Sequence, residues 1–190
     1  MRNVMMAALL VASSLAAGCG AVAGQGIATV MGAGGRYFEM KDIGPKGTLD
    51  KYQAVQVVPF DPSPMLGAIP QDVVSAVQPE IVRTLRDTRL FSQVGGTVST
   101  KPAIEIRGKF MDYDPGGSAA RAVGFGANPT LTAQIEIIDL DSNRVLGIAM
   151  VSGSIKSVVR ANPEQLSDGV AKAVRGLLVS HMERKPPKER

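Results

Sequence analysis

Two stretches of alternation constrain this chain more than any other feature. In Ile104-Glu105-Ile106-Arg107-Gly108-Lys109-Phe110 every second residue is apolar, apart from Gly108. From Leu131 to Ile137, the residues Leu131, Ala133, Ile135 and Ile137 alternate with Thr132, Gln134 and Glu136. Successive side chains on a strand point to opposite faces, so both stretches predict strands with one buried and one wet face. Such strands need an apolar layer against one side only.

The covering layer can be read from helical spacing. Val73, Val77, Ile81 and Leu85 recur every four residues, while Arg83, Arg86 and Asp87 lie off that stripe. Pro79 falls inside the pattern, so either the helix kinks there or a new helix starts with Pro79 in its first turn. A second helix is announced by Asn162-Pro163-Glu164-Gln165, with asparagine as cap, proline in the first turn and glutamine three after the cap. Its stripe is Leu166, Val170, Val174, Leu177 and His181, and Pro186-Pro187 stops it.

The remaining extended pieces are shorter or less regular. Gln53 to Phe60 is valine-rich and reads as a strand that Pro59 ends or places at an edge. Leu90 to Val94 is a short extended piece closed by Gly95-Gly96. Val145 to Val159 reads as a long strand with a bulge near Gly147 or Gly153. The order is strand, helix, strands, helix. It predicts an α+β two-layer sandwich, a small mixed or antiparallel sheet with two helices on one face.

Of the 190 residues, 45% are hydrophobic, enough for a packed core, whereas 4% aromatic content and no tryptophan argue against a stacking face for flat ligands. The net charge of +4 is mild, and Arg184, Lys185, Lys188 and Arg190 gather in the tail. No basic stripe with interleaved aromatics is present, so nucleic acid is not an expected partner.

The amino-terminal end reads as a secretory leader: Arg2, an apolar run from Val4 to Leu15 broken by Ser13 and Ser14, then small residues before the single cysteine. Leu15-Ala16-Ala17-Gly18-Cys19 resembles the lipobox of bacterial lipoproteins, with Ala16 where leucine is usual. The resemblance implies cleavage before Cys19, acylation of Cys19 and attachment to a membrane through the acyl chains. Gly20 after the cysteine is compatible with sorting to the outer membrane, facing the periplasm. An uncleaved spanning helix is the alternative, since no charge occurs from Asn3 through Gly35 and about 20 apolar residues cross a bilayer. Gly18, Gly20, Gly24 and Gly26 weigh against it. The chain thus divides into a leader (1–18), a glycine- and alanine-rich tether (19–36), one α+β domain (37–185) and a basic tail (186–190).

One connection is long for so small a domain. Asp112 to Asn128 is glycine-rich, and long connections in compact domains are usually functional or disordered. Asp112, Tyr113, Arg121, Gly124 and Gly126 are its candidate ligand- or partner-binding residues. Exposed backbone N–H groups beside Arg121 would suit an anion. In the plainer reading Arg121 pairs with a carboxylate such as Asp112. Pro59-Phe60, Leu90 to Val94, Gly117 to Gly126 and Asp139-Leu140-Asp141 together resemble an uncharacterised, domain-of-unknown-function family of bacterial envelope lipoproteins. The likeness covers about Ala54 to His181. It implies a fold similar to the periplasmic domain of the curli-secretion lipoprotein and the amino-terminal domain of the Tol-system translocation protein. It supplies no catalytic residues.

Catalytic motifs fail on inspection. Gly116-Gly117-Ser118-Ala119-Ala120 nearly spells a nucleophile elbow but ends in alanine. His181, the only histidine, lies on an apolar stripe and reads as a packing residue. Asp139, Asp141 and Asn143 begin a calcium-loop spacing, but Arg144 stands where glycine is needed and Met150 where the bidentate glutamate should be. No catalytic residue, cofactor or metal is therefore expected. The reading that results is a non-catalytic binding or assembly module, held to a membrane through Cys19, with envelope proteins as partners and its oligomeric state open. A hydrolase acting on cell-wall or lipid substrates and a subunit of an oligomeric envelope machine are the alternatives.

Overall fold

Alternation in the sequence becomes a seven-stranded mixed sheet. The computed structural model describes residues 28–29, 34–65, 67–116, 128–155 and 163–185. The elements are β1 (Ala28–Thr29), β2 (Gly35–Lys41), β3 (Ala54–Val57), α1 (Gln71–Thr88), β4 (Gln93–Gly95), β5 (Ala103–Asp114), β6 (Thr130–Asp139), β7 (Arg144–Ser154) and α2 (Pro163–Ser180). The strand order is β1-β2-β7-β6-β5-β3-β4. Strands β5, β6, β7 and β2 pair antiparallel, while β3 lies parallel to both β4 and β5.

Both alternating stretches behave as their pattern dictates. Ile106 faces Ile137 and Phe110 faces Ala133 across the β5–β6 pair, and all four are buried. The stripes of α1 and α2 merge with these residues into one core. Helix α2 lies over β2, β6 and β7, α1 lies beside β3 and β4, and the helices pack on each other. This is the predicted two-layer α+β sandwich. Fully burying one isoleucine or phenylalanine side chain stabilises by roughly 1.5–3 kcal/mol. Among the described residues no helix is long and apolar enough to cross a membrane.

Three local features settle questions that the sequence leaves open. Helix α1 runs unbroken through Pro79. Proline lacks the N–H that would bond the Ser75 carbonyl, but both residues sit on the exposed face, where water can replace that bond. The β7 bulge is at Leu146: Ile137 faces Gly147 and Ile138 faces Val145, which leaves Leu146 over. Gly153, the other bulge candidate, is regular in β7 and has a different role. Finally, strand pairing starts earlier than the sequence suggests. Gly35 and Arg36, in the stretch read as tether, open β2, and Ala28–Thr29 pairs with it. The leader, Cys19, the Asn162 cap and Pro186-Pro187 lie outside the described residues.

Candidate functional site

The predicted binding connection is only framed by described residues. Asp112 and Tyr113 close β5, but they face opposite ways. Met111 is the extra residue of a bulge, after which Asp112 faces Thr132 on the exposed side and Tyr113 faces Leu131 and packs on the core. They therefore do not form one surface. Arg121, Gly124 and Gly126 lie outside the described residues. The frame itself is well tied. Asp114 pairs with Thr130 and Thr130 with Ser154, the Ile155 N–H donates to the Pro129 carbonyl at 3.1 Å, and the Ser154 N–H donates to that of Gly34 at 2.8 Å. Thus Gly34, Asp114, Thr130 and Ser154 stand together at one end of the sheet.

The second candidate is the sheet face that no helix covers among the described residues. Its residues follow from the register. One row runs Phe38, Met150, Gln134, Lys109 and Asp61; the next runs Lys41, Ile148, Glu136 and Arg107. Phe38, Met40, Ile148 and Met150 make an apolar strip over β2 and β7, flanked on β2 by the exposed Arg36 and Lys41, and the face becomes polar and charged over β6 and β5. Phe38, Ile148 and Met150 are half-buried, and Met40, the extra residue of the β2 bulge, is 56% exposed. On the charged half, Asp61, Arg107, Gly108, Lys109, Gln134 and Glu136 line a depression of about 160 Å³. Glu105 is only 6% exposed although it belongs to this outer face. It accepts from Gln56 Nε2 at 2.9 Å and pairs with Arg107 Nη2 at 2.7 Å, which satisfies a carboxylate held at the sheet surface.

The sequence does signal this face, through β7. Strands with one wet face alternate, whereas strands covered on both faces read as a continuous apolar run. Strand β6 presents Thr132, Gln134 and Glu136 outward; β7 presents Ile148 and Met150 outward and Ala149 and Val151 inward.

Among the described residues, Tyr52 and Asp139 are the ionisable groups shifted furthest, and they bind each other. Tyr52, fully buried, donates its hydroxyl to Asp139 Oδ2 at 2.7 Å. Burial first, and then the bond to Asp139, push the Tyr52 phenol well above its ordinary range. The Tyr52 hydroxyl first, then the Ser142 and Asp141 N–H groups, hold the Asp139 carboxyl down at about 2. A depressed carboxyl stabilises the fold above its unfolded pKa of about 3.9, and that contribution is lost as pH falls toward the folded value. Asp139→Asn is therefore expected to remove about 2 kcal/mol at neutral pH and to flatten the acid limb of stability between about pH 4 and 2, as read by denaturant unfolding. An acid limb unchanged by the substitution would refute the assignment.

The family described as a domain of unknown function, DUF4410, matches residues 47–158. The chain belongs to the DUF4410 family. The DUF4410 match takes in β3 through β7; β2 and α2, which complete the sandwich, lie outside it. No curated protein matches the chain. Among solved structures, a single-substitution variant of the PelC dodecamer from Paraburkholderia phytofirmans superposes with a TM-score of 0.54 at 12% identity, over 79% of this chain and 99% of that one. The PelC dodecamer from the same organism in another crystal form gives 0.50 at 14% identity, over 79% and 99%. Protein XCC0632 from Xanthomonas campestris, of family DUF330, gives 0.42 at 10% identity, over 73% and 88%. At these identities the PelC likeness is one of fold.

Proposed function

We propose that this protein is a non-catalytic, lipid-anchored module of the bacterial envelope, facing the periplasm from the outer membrane, that self-associates through the open face of its sheet. The observation that carries the reading is β7, which turns Ile148 and Met150 to the sheet face opposite the two described helices while Ala149 and Val151 fill the core. Apolar side chains at Phe38, Met40, Ile148 and Met150 gain from leaving water, and the adjoining Arg107, Lys109 and Glu136 carry both signs, which favours a partner of the same kind. The occupant is a second copy of this chain. The similar PelC fold is a dodecamer, which supports the reading. Attachment rests on the leader and on Cys19. One acyl chain holds only marginally, and two or more hold durably.

Light scattering after size separation in mild detergent, with the micelle mass subtracted, tests the assembly. The wild-type chain is expected as an oligomer. Ile148→Glu combined with Met150→Glu should weaken association at least about thirtyfold, the equivalent of roughly 2 kcal/mol at a central contact, with unchanged circular dichroism. A wild-type monomer, or an oligomer indifferent to both charges, overturns self-association. Mass spectrometry of the amino terminus tests attachment separately: a chain that retains residues 1–18 or lacks acyl groups removes that half.

A further inference from the structure

The corner where residues 42–52 cross the end of α2 is built differently from the rest of the surface. Glu39, Asp42 and His181 converge there, with one potential ligand atom from each lying within 4.8 Å of the others. His181 is held firmly. Its carbonyl accepts the N–H groups of Gly47 at 2.9 Å and Leu49 at 3.3 Å, and the residue is 8% exposed. Its Nδ1 lies 2.8 Å from the Gly44 carbonyl oxygen. A carbonyl can only accept, so Nδ1 carries the hydrogen, and in the neutral ring Nε2 presents its lone pair. That lone pair is aimed at Glu39 Oε1, 3.0 Å away. An ionised carboxylate is also only an acceptor. The two groups need a cation between them, either a second ring proton or a metal ion.

The surroundings favour a metal. Gly44 orients two of the three groups: its carbonyl fixes the His181 tautomer, and its N–H donates to Asp42 Oδ1 at 2.8 Å. This is the outer-shell arrangement of metal-ligating histidines, whose second ring nitrogen donates to a carbonyl or carboxylate. Gly44 adopts φ +117°, a conformation that side-chain-bearing residues rarely take, so the turn that presents both groups depends on glycine. We propose that Glu39, Asp42 and His181 form a site for a divalent transition metal of the zinc class. One imidazole with two carboxylates suits zinc better than magnesium or calcium, which prefer oxygen alone. Ligands at about 2.0–2.2 Å from a tetrahedral zinc stand roughly 3.3–3.6 Å apart, so a small turn of the Glu39 side chain from its 3.0 Å separation admits the ion, and the fourth position falls to water. The metal would strap residues 42–50 to the end of α2 and to β2.

The histidine count makes the test clean, since His181 is the only imidazole in the chain. Zinc and cobalt are titrated into the tag-free full-length chain, with Cys19→Ser as a control that removes its one thiol. One zinc per chain, a raised melting temperature, a shifted His181 imidazole resonance and the visible absorption of tetrahedral cobalt are expected. Asp42→Asn, at an exposed side chain, should lower the affinity at least about tenfold, and Glu39→Gln with Asp42→Asn should abolish it. No zinc uptake, equal uptake by the double variant, or a cobalt spectrum of a fully hydrated ion would leave the corner as an imidazolium–Glu39 pair and overturn the site.

Discussion

Gly153→Ala is expected to destabilise the fold by at least about 3 kcal/mol and to lower the melting temperature by roughly 10 °C. Gly153 of β7 pairs directly with Gly35 of β2, and α2 crosses above this pair at Gly169. A methyl group on Gly153 would lie 2.3 Å from the Leu166 carbonyl oxygen and 2.7 Å from the Val170 nitrogen. On Gly35 it would lie 2.4 Å from the Gly169 carbonyl oxygen. These obstacles are helix backbone, which cannot rotate aside as a side chain can. The helix would have to lift from the sheet, opening the layer that buries Val170, Val174 and Leu177. A glycine inside α2 costs up to about 1 kcal/mol of helix propensity, and the close seat of helix on sheet explains why one stands there. Ser152→Ala, one residue away on the open face, should shift stability by no more than about 0.5 kcal/mol. Equal melting of the two variants would refute the close-contact account.

The contrast between those two neighbours shows what the chain makes legible. Where one period governs a segment, the reading is direct. Ile104, Ile106 and Phe110 alternate because their strand meets water on one side, and Val73, Val77, Ile81 and Leu85 repeat because α1 does. Strand β2 escapes such reading. Its inward positions are Gly35, Tyr37 and Glu39, a glycine for close approach, one aromatic and an acid turned toward His181, so no apolar alternation survives. Pro79 looks like a boundary because local rules cannot know which way its missing bond faces. Length is visible in a sequence, so the connection 112–128 stands out as a binding candidate. The Glu39–Asp42–His181 corner is not visible that way, because His181 and Glu39 stand 142 positions apart and only the fold brings them together. The open face sits between these cases: the apolar run of β7 carries a trace of it, but its charged half reads as ordinary solvent-facing alternation.

Phe60→Ala is expected to cost about 3–5 kcal/mol, and Gly108→Val about 1–3 kcal/mol, yet the two together should cost less than their sum by at least about 1 kcal/mol. Gly108 interrupts the β5 alternation at an inward position and leaves a hollow in the sheet. The Phe60 ring fills it: a Cβ on Gly108 would meet three ring atoms at 2.5–2.7 Å. The ring is 4% exposed and lies tilted at 51° to that of Phe110, with centroids 5.8 Å apart, within contact range for an aromatic pair. Backbone bonds on either side hold it in place. The Val58 N–H donates to the Ile106 carbonyl at 3.1 Å, the Asp61 N–H to that of Gly108 at 2.8 Å, and the Phe110 N–H to that of Asp61 at 3.0 Å. This is the physical content of the Pro59-Phe60 piece: the chain leaves β3, stays bound to β5 and sets one ring over one glycine. Removing the ring opens a cavity, and adding a branched side chain beneath it forces a clash, but valine beneath a missing ring refills part of the void. Denaturant unfolding of the four proteins of the cycle measures the coupling. Additivity within about 0.5 kcal/mol would mean that hollow and ring are independent, and Gly108 would then need a backbone reason for its place instead.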